Sequence, residues 1–167
     1  VNQLVAHGLS QRAIKAVDSA ALVGIASTGH HCYPETESPE DIAAARDATF
    51  SVTENGWVFS HNWMLDPICL GRFTACNGSS LEPLVMGVDM ATMDIIHCVP
   101  DFLGYNIYNG HEVRASADGP QYVERYSGYP RTALKWPVTE GVMDWGIRLL
   151  QERYGLPGYI TENGLSC

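Results

Sequence analysis

The chain has 167 residues, 46% of them hydrophobic, with 10 Lys and Arg against 19 Asp and Glu and a formal charge of −9. That acidic balance, with no Lys/Arg run to track a phosphate backbone, excludes nucleic acid as an expected partner. No stretch approaches the roughly 18 consecutive apolar residues of a membrane helix, so no membrane partner is expected either.

Leu4, Val5, Leu9, Ala13, Ile14 and Val17 recur at helical spacing among polar residues, which predicts an amphipathic opening helix with its apolar stripe against a sheet. The nearly continuous apolar run 21–26 then predicts a strand covered on both faces. Ser38 or Thr36 ahead of Pro39-Glu40-Asp41 is a helix start, because Pro suits the first turn and early acidic groups suit the positive end of the dipole. This helix should run to about Phe50.

The aromatic-rich segment Trp57 to Leu70 reads as helix and irregular loop, broken at Asp66-Pro67. Small polar residues from Thr74 through Asn77-Gly78 to Ser80 read as a surface connection, and Leu81 to Ile96 as a helix. Phe102 to Tyr108 is a second strand. The polar stretch His111 to Thr132, with Asp118-Gly119-Pro120, fits a hairpin or excursion. Val142, Trp145, Ile147, Leu149 and Leu150 mark a last helix ending near Tyr154-Gly155, and Tyr159-Ile160-Thr161 a third, buried strand. Strand and helix in alternation indicate parallel α/β architecture.

The five cysteines, Cys32, Cys69, Cys76, Cys98 and Cys167, are odd in number and include no Cys-x-x-Cys pair, so they read as reduced structural thiols of a cytoplasmic protein. Tandem His30-His31 near Cys32 raises a metal site. Adjacent side chains on an extended segment point to opposite faces, which disfavours joint ligation, and no metal is assigned.

Tyr159-Ile160-Thr161-Glu162-Asn163-Gly164 is an apolar run that delivers one carboxylate and stops at a glycine, placing Glu162 where a strand meets its loop. Read alone, Glu162 serves as well for a helix cap or an ion pair as for catalysis. Tyr108 reads alone as a layer-filling aromatic or a donor, and Trp136 as a core residue or a ligand platform. Asn106 and Tyr108 are two apart on a strand and so share a face.

The segment Tyr159–Gly164 resembles the nucleophile motif of family 1 glycoside hydrolases, the β-glucosidase family, and 101–108 (Asp-Phe-Leu-Gly-Tyr-Asn-Ile-Tyr) resembles that family's strand 6. Collinear similarity continues through Ala6-His7-Gly8, residues 40–46, Asp66-Pro67 and 153–157, with 131–167 especially similar to bacterial members. The resemblance implies a partial (β/α)8 TIM barrel, approximately strands 5 to 7 with flanking helices. Residues 1–167 would then be a fragment of a single glycosidase domain, because such barrels take about 250 residues.

It further implies a retaining β-glucosidase acting on terminal β-glucosides or oligosaccharides such as cellobiose, in a cytoplasmic bacterial setting. Glu162 would be the nucleophile, Tyr108 its hydrogen-bond donor, Asn106 a neighbour at the sugar, and Trp136 the platform for the leaving-group side. No cofactor is implied, because two carboxyl groups carry the reaction. The sequence departs from the family at Gly71-Arg72-Phe73-Thr74 and lacks a proline between Thr139 and Glu140.

No Asn-Glu-Pro occurs, which in the family carries the acid/base, and the strand 8 sugar-gripping region is absent. The isolated chain is therefore expected to be inactive, marginally folded, and dependent on the remainder of the barrel. A 6-phospho-β-glucosidase, or a non-catalytic half-barrel that binds carbohydrate or completes a partner, are the alternatives.

Overall fold

The computed structural model describes residues 1–74 and 79–167. Helix α1 (Asn2–Val17) opens the chain, but its packed face differs from the predicted stripe: Leu4, Gly8 and Gln11 are buried, whereas Leu9, Ile14 and Val17 face outward. It packs chiefly on helix α5 (Met90–Ile96), and Leu4 joins Ile68 and Ile96 in a small cluster that only Ile25 reaches from the sheet side. A Cβ at position 8 would lie 1.9 Å from the Ile95 carbonyl oxygen, so the close approach requires glycine. The Gln11 amide then donates to the Val99 carbonyl at 2.9 Å.

Strand β1 (Gly24–Ser27) begins later than the apolar run suggests and is partly exposed. After the short strand β2 (Cys32–Pro34), helix α2 (Pro39–Thr49) starts as predicted, with the Ser38 hydroxyl accepting from the Asp41 N–H at 3.2 Å. A 3-10 turn (Trp57–Phe59) leads into α3 (His61–Leu70), which continues past Pro67 instead of ending there. Pro67 cannot donate to the carbonyl of Trp63, a defect of about 3 kcal/mol in an interior helix position. The helix is held by its side chains instead.

Chief among these is Asp66, 2% exposed, which accepts from Arg153 (Nε at 2.9 Å, Nη2 at 2.6 Å), the Tyr154 hydroxyl (2.9 Å) and the Thr74 hydroxyl (2.6 Å). The single helix expected over 81–96 is two short ones, α4 (Pro83–Met86) and α5, the second capped by Asp89, which accepts from the Thr92 N–H at 2.7 Å. Asn77-Gly78 and Cys76 lie outside the described residues.

The central feature is a parallel sheet in the order β1-β3-β6, where β3 is Phe102–Asn106 and β6 is Gly158–Glu162. Gly24 pairs with Phe102 and Leu103 with Gly158. Gly104 sits in the middle because a Cβ there would meet Ala26 and Thr161 at 2.9 Å. Strand β3 ends at Asn106, short of the predicted Tyr108, because the pairing with β6 shifts register between Tyr105 and Asn106.

A second sheet, β2-β4-β5, holds the predicted excursion as a hairpin of β4 (His111–Ser116) and β5 (Gly119–Tyr122). Pro34 and Pro120 lie on its two edge strands, where a missing N–H disrupts no ladder. Helix α6 (Val142–Tyr154) ends on Gly155 at φ +66°, a left-handed stop that glycine adopts freely. The main core is packed between the two sheets, α2 and α6, around Ala45, Leu65, Leu103, Ile107, Val113, Leu149 and Leu150.

Strand β6, expected to be buried, is exposed along its whole length: among the described residues it pairs with β3 alone, and its side chains meet only β3 and the turn after it, as where the Phe102 ring lies 4.9 Å from that of Tyr159. Cys32, Cys69, Cys98 and Cys167 are free thiols, and burial pushes Cys32 up to about 11 and Cys69 up to about 12. Among the described residues, no helix is long and apolar enough to cross a membrane and no three His, Cys, Asp or Glu side chains converge as metal ligands.

Candidate active site

Parallel pairing brings the ends of β3 and β6 together at one rim of the sheet, the end at which α/β barrels carry their chemistry. There the Tyr108 hydroxyl donates to Glu162 Oε2 at 2.6 Å, joining residues 54 positions apart. The carboxylate raises the Tyr108 phenol above its usual range, so it remains a donor across neutral pH. Glu162 itself is exposed, with its second oxygen unengaged by the described residues.

The backbone that aims this pair is clamped from both sides. The Ile107 N–H donates to the Glu162 carbonyl at 2.9 Å, and the Asn163 side-chain amide donates to the Ile107 carbonyl at 2.7 Å. Gly164 follows at φ +150° and turns the chain away. The Thr161 hydroxyl donates to Asn106 Oδ1 at 2.7 Å, so Asn106 is tied to β6 and lines the same cleft as Tyr108, as their shared face predicts.

Trp136 completes the group, its ring 5.4 Å from that of Tyr108 and 42% exposed. It stands on a three-residue loop: the Thr132 N–H donates to the Trp136 carbonyl at 2.8 Å, and Lys135 takes the left-handed position at φ +66°. Ser166, just beyond Glu162, anchors the loop tip, its carbonyl accepting from Ala133 N–H at 3.0 Å and its hydroxyl from Leu134 N–H at 3.1 Å. The Trp136 loop and the segment after Glu162 thus share one support, and with no proline between Thr139 and Glu140 Trp136 still lines the cleft.

All four residues singled out in the sequence are therefore together. The cleft beside them, about 230 Å³, is also walled by Phe59, Asn109, His30, His31 and His111. Spacing gives no sign of these. The tandem histidines both reach the cleft but have different ring partners: His31 is buried against His61 at 4.6 Å between ring centres, and His30 faces Phe59 and His111. Burial pushes His31 down to about 4 and His61 down as well, so both are neutral at pH 7.

The model of glycosyl hydrolase family 1 matches residues 1–167. The chain belongs to this family. It is 29% identical over 167 residues to beta-glucosidase A of Thermotoga maritima, covering 98% of this chain and 35% of that protein. It is 29% identical over 159 residues to the aryl-phospho-beta-D-glucosidase BglC of Bacillus subtilis, covering 80% and 32%.

Among solved structures, virulence factor SghA of Agrobacterium tumefaciens, in complex with its substrate analog salicin, matches this family 1 chain with a TM-score of 0.70 at 27% identity, over 97% of this chain and 35% of that one. The Thermotoga maritima beta-glucosidase with glucoimidazole matches with a TM-score of 0.67 at 26% identity, over 98% and 36%. The family 1 chain spans about a third of the length of the curated relatives it matches, and its α/β fold is that of part of their barrel.

Proposed function

We propose that this chain is the nucleophile-bearing part, strands 5 to 7, of a retaining β-glycosidase that hydrolyses terminal β-D-glucosides such as cellobiose. The carrying observation is the 2.6 Å bond from Tyr108 to Glu162 at the carboxyl ends of two neighbouring parallel strands. One oxygen of the carboxylate is held by the phenol, and the other is free to attack.

In the first step the free Glu162 oxygen bonds to the anomeric carbon as the glycosidic C–O bond breaks, and the leaving oxygen takes a proton from an acid elsewhere in the barrel. In the second step water, deprotonated by that same group, displaces Glu162 from the glycosyl ester and regenerates the carboxylate. Retention requires the two carboxyl groups about 5 to 5.5 Å apart. Asn106 contacts the sugar, and Trp136 offers its flat face to the leaving-group side.

The exposed β6 and the bare edge of β1 are where the rest of the barrel packs. Alone, the chain is inactive, because losing general acid catalysis typically costs 10² to 10⁴ in rate and the rest of the pocket goes with it. The aryl-phospho relative favours a 6-phosphoglucoside as the second reading. The cleft described here contains no Lys or Arg, so a phosphate would be held elsewhere.

The test is incubation with a 2-deoxy-2-fluoro-glucoside, alone and with a fragment carrying the remaining strands, followed by peptide mass spectrometry. A glycosyl adduct on Glu162 in the complemented sample alone is expected. A folded, complemented sample without adduct makes Glu162 a structural carboxylate and the chain a non-catalytic half-barrel.

A further inference from the structure

We propose that His31 and His61 form a buried two-coordinate metal site that takes one soft monovalent cation of the copper(I) class, with one imidazole nitrogen of each ring as ligand. Neither ring belongs to the hydrolytic reaction proposed above.

The two rings come from different elements, His31 from the turn ahead of β2 and His61 from the start of α3, and their planes are tilted by 56° with centres 4.6 Å apart. Two glycines make the room: a Cβ at Gly29 would lie 2.5 Å from His61 Nε2, and one at Gly146 would lie 2.9 Å from His31 Nδ1. The backbone around them is fixed, the His30 N–H donating to the Phe59 carbonyl at 2.7 Å and the His111 N–H to the His31 carbonyl at 2.9 Å. His31 and His61 are 2% and 1% exposed, yet none of their four ring nitrogens makes a hydrogen bond of ordinary geometry among the described residues. Buried polar atoms are nearly always paired, so four unpaired ones in adjacent rings call for a ligand.

The donor set decides which ligand. No third His, Cys, Asp or Glu joins the pair among the described residues, and the thiol of Cys32, next in sequence to His31, is engaged with Thr49 and Tyr122. Zinc takes four ligands, and a divalent charge buried without a carboxylate is costly. A monovalent ion of the copper(I) type is complete with two ligands in line and brings half that charge. Two metal–nitrogen bonds of about 2 Å set the nitrogens about 4 Å apart, a span that rings with centres 4.6 Å apart accommodate.

Burial keeps both imidazoles neutral at pH 7, so each holds a lone pair for the ion and loses no proton on binding it. The Asn106 carbonyl stands near the His31 ring, and a metal-bound imidazole ordinarily turns its second N–H to such a carbonyl. His31 also lines the cleft, which gives the ion its way in. Once bound, the ion ties the start of α3 to the turn ahead of β2.

The test uses silver ion, which matches copper(I) in charge and coordination and keeps its oxidation state in air. Crystals of the full-length protein carrying this chain are soaked in silver nitrate and the anomalous difference map is calculated. A peak between the two rings, bonded to one nitrogen of each, is expected. Silver at cysteines alone overturns the inference, and so does a peak between the rings without anomalous signal, which marks a water. In solution, with the thiols saturated first, His61→Phe keeps the ring and drops both nitrogens, and should weaken the remaining silver site more than about 100-fold, because even outer partners of metal ligands are worth 10 to 100. An unchanged affinity in that variant overturns the inference as well. Neither readout involves turnover, so the glycosidase reading stands or falls separately.

Discussion

Two carboxylates of this chain sit in opposite circumstances. Asp66 is buried, both of its oxygens taken by Arg153, Tyr154 and Thr74, and it ties α3 to the end of α6. Glu162 is exposed, held on one oxygen by Tyr108 alone. A carboxylate with every lone pair occupied has nothing left to offer a substrate, and its energy is spent on the fold. One held by a single donor is oriented and still available. Motif resemblance touches both residues, but only the count of partners separates the structural group from the candidate nucleophile.

Four experiments press on that contrast. Glu162→Gln in the complete enzyme should lower kcat by about 10⁴ or more, the scale of removing a nucleophile, while shifting the chain's unfolding free energy by no more than about 0.5 kcal/mol. Kinetics and urea melts read the two effects; a large stability loss would erase the distinction. Asp66→Ala should do the reverse, costing about 3 to 5 kcal/mol by stranding Arg153, as a drop in the urea midpoint.

The third concerns the buried imidazoles. His31 falls from an ordinary 6.5 to about 4, with desolvation the main cause, the Asn106 carbonyl opposing it and His30 adding to it. The fold thus binds the neutral ring. Its contribution to stability is full above pH 6.5 and is lost as pH falls from 6.5 toward 4, by about 3 kcal/mol. His61 adds a loss of the same sign. Melts at pH 7.5, 5.5 and 4.5 should show this loss in wild type and a smaller one in His31→Phe; parallel curves would mean that His31 titrates normally in the fold. Smallest, Tyr108→Phe should lower kcat/KM roughly 10- to 100-fold, the worth of a hydrogen bond to a charged group, with an unchanged melt.

Much of this was legible in the sequence because it is local or carried by a motif. The Ser38 cap, the run to Gly155 and the hairpin at Gly119 follow from residue chemistry within a few positions. Glu162, Tyr108, Asn106 and Trp136 were singled out through their motifs; pairing of β3 with β6 brings the first three together, and the Ser166 contacts to Ala133 and Leu134 bring in the Trp136 loop. What escaped depends on distant partners. Pro67 stays helical because Asp66 meets Arg153, 87 residues away. The true face of α1 is dictated by Gly8 against α5, not by its apolar stripe. Strand β2 is three residues long and has no pattern to read. The walls of the cleft, His30 and His111, meet only because β4 returns beside β2.

The parallel sheet also sets a timetable for synthesis. The β4–β5 hairpin, joined by two residues, can close within microseconds of being made. The sheet begun at Gly24 cannot be completed until Gly158–Glu162 has left the ribosome, on the order of 10 s later at about 5 to 20 residues per second. During that interval the edge of β3 stands unpaired, a window in which a chaperone would find its substrate. The pairing that covers this edge is the same one that sets Glu162 against Tyr108, so a nascent chain holds its candidate nucleophile in place only after β1 and β3 have waited for it.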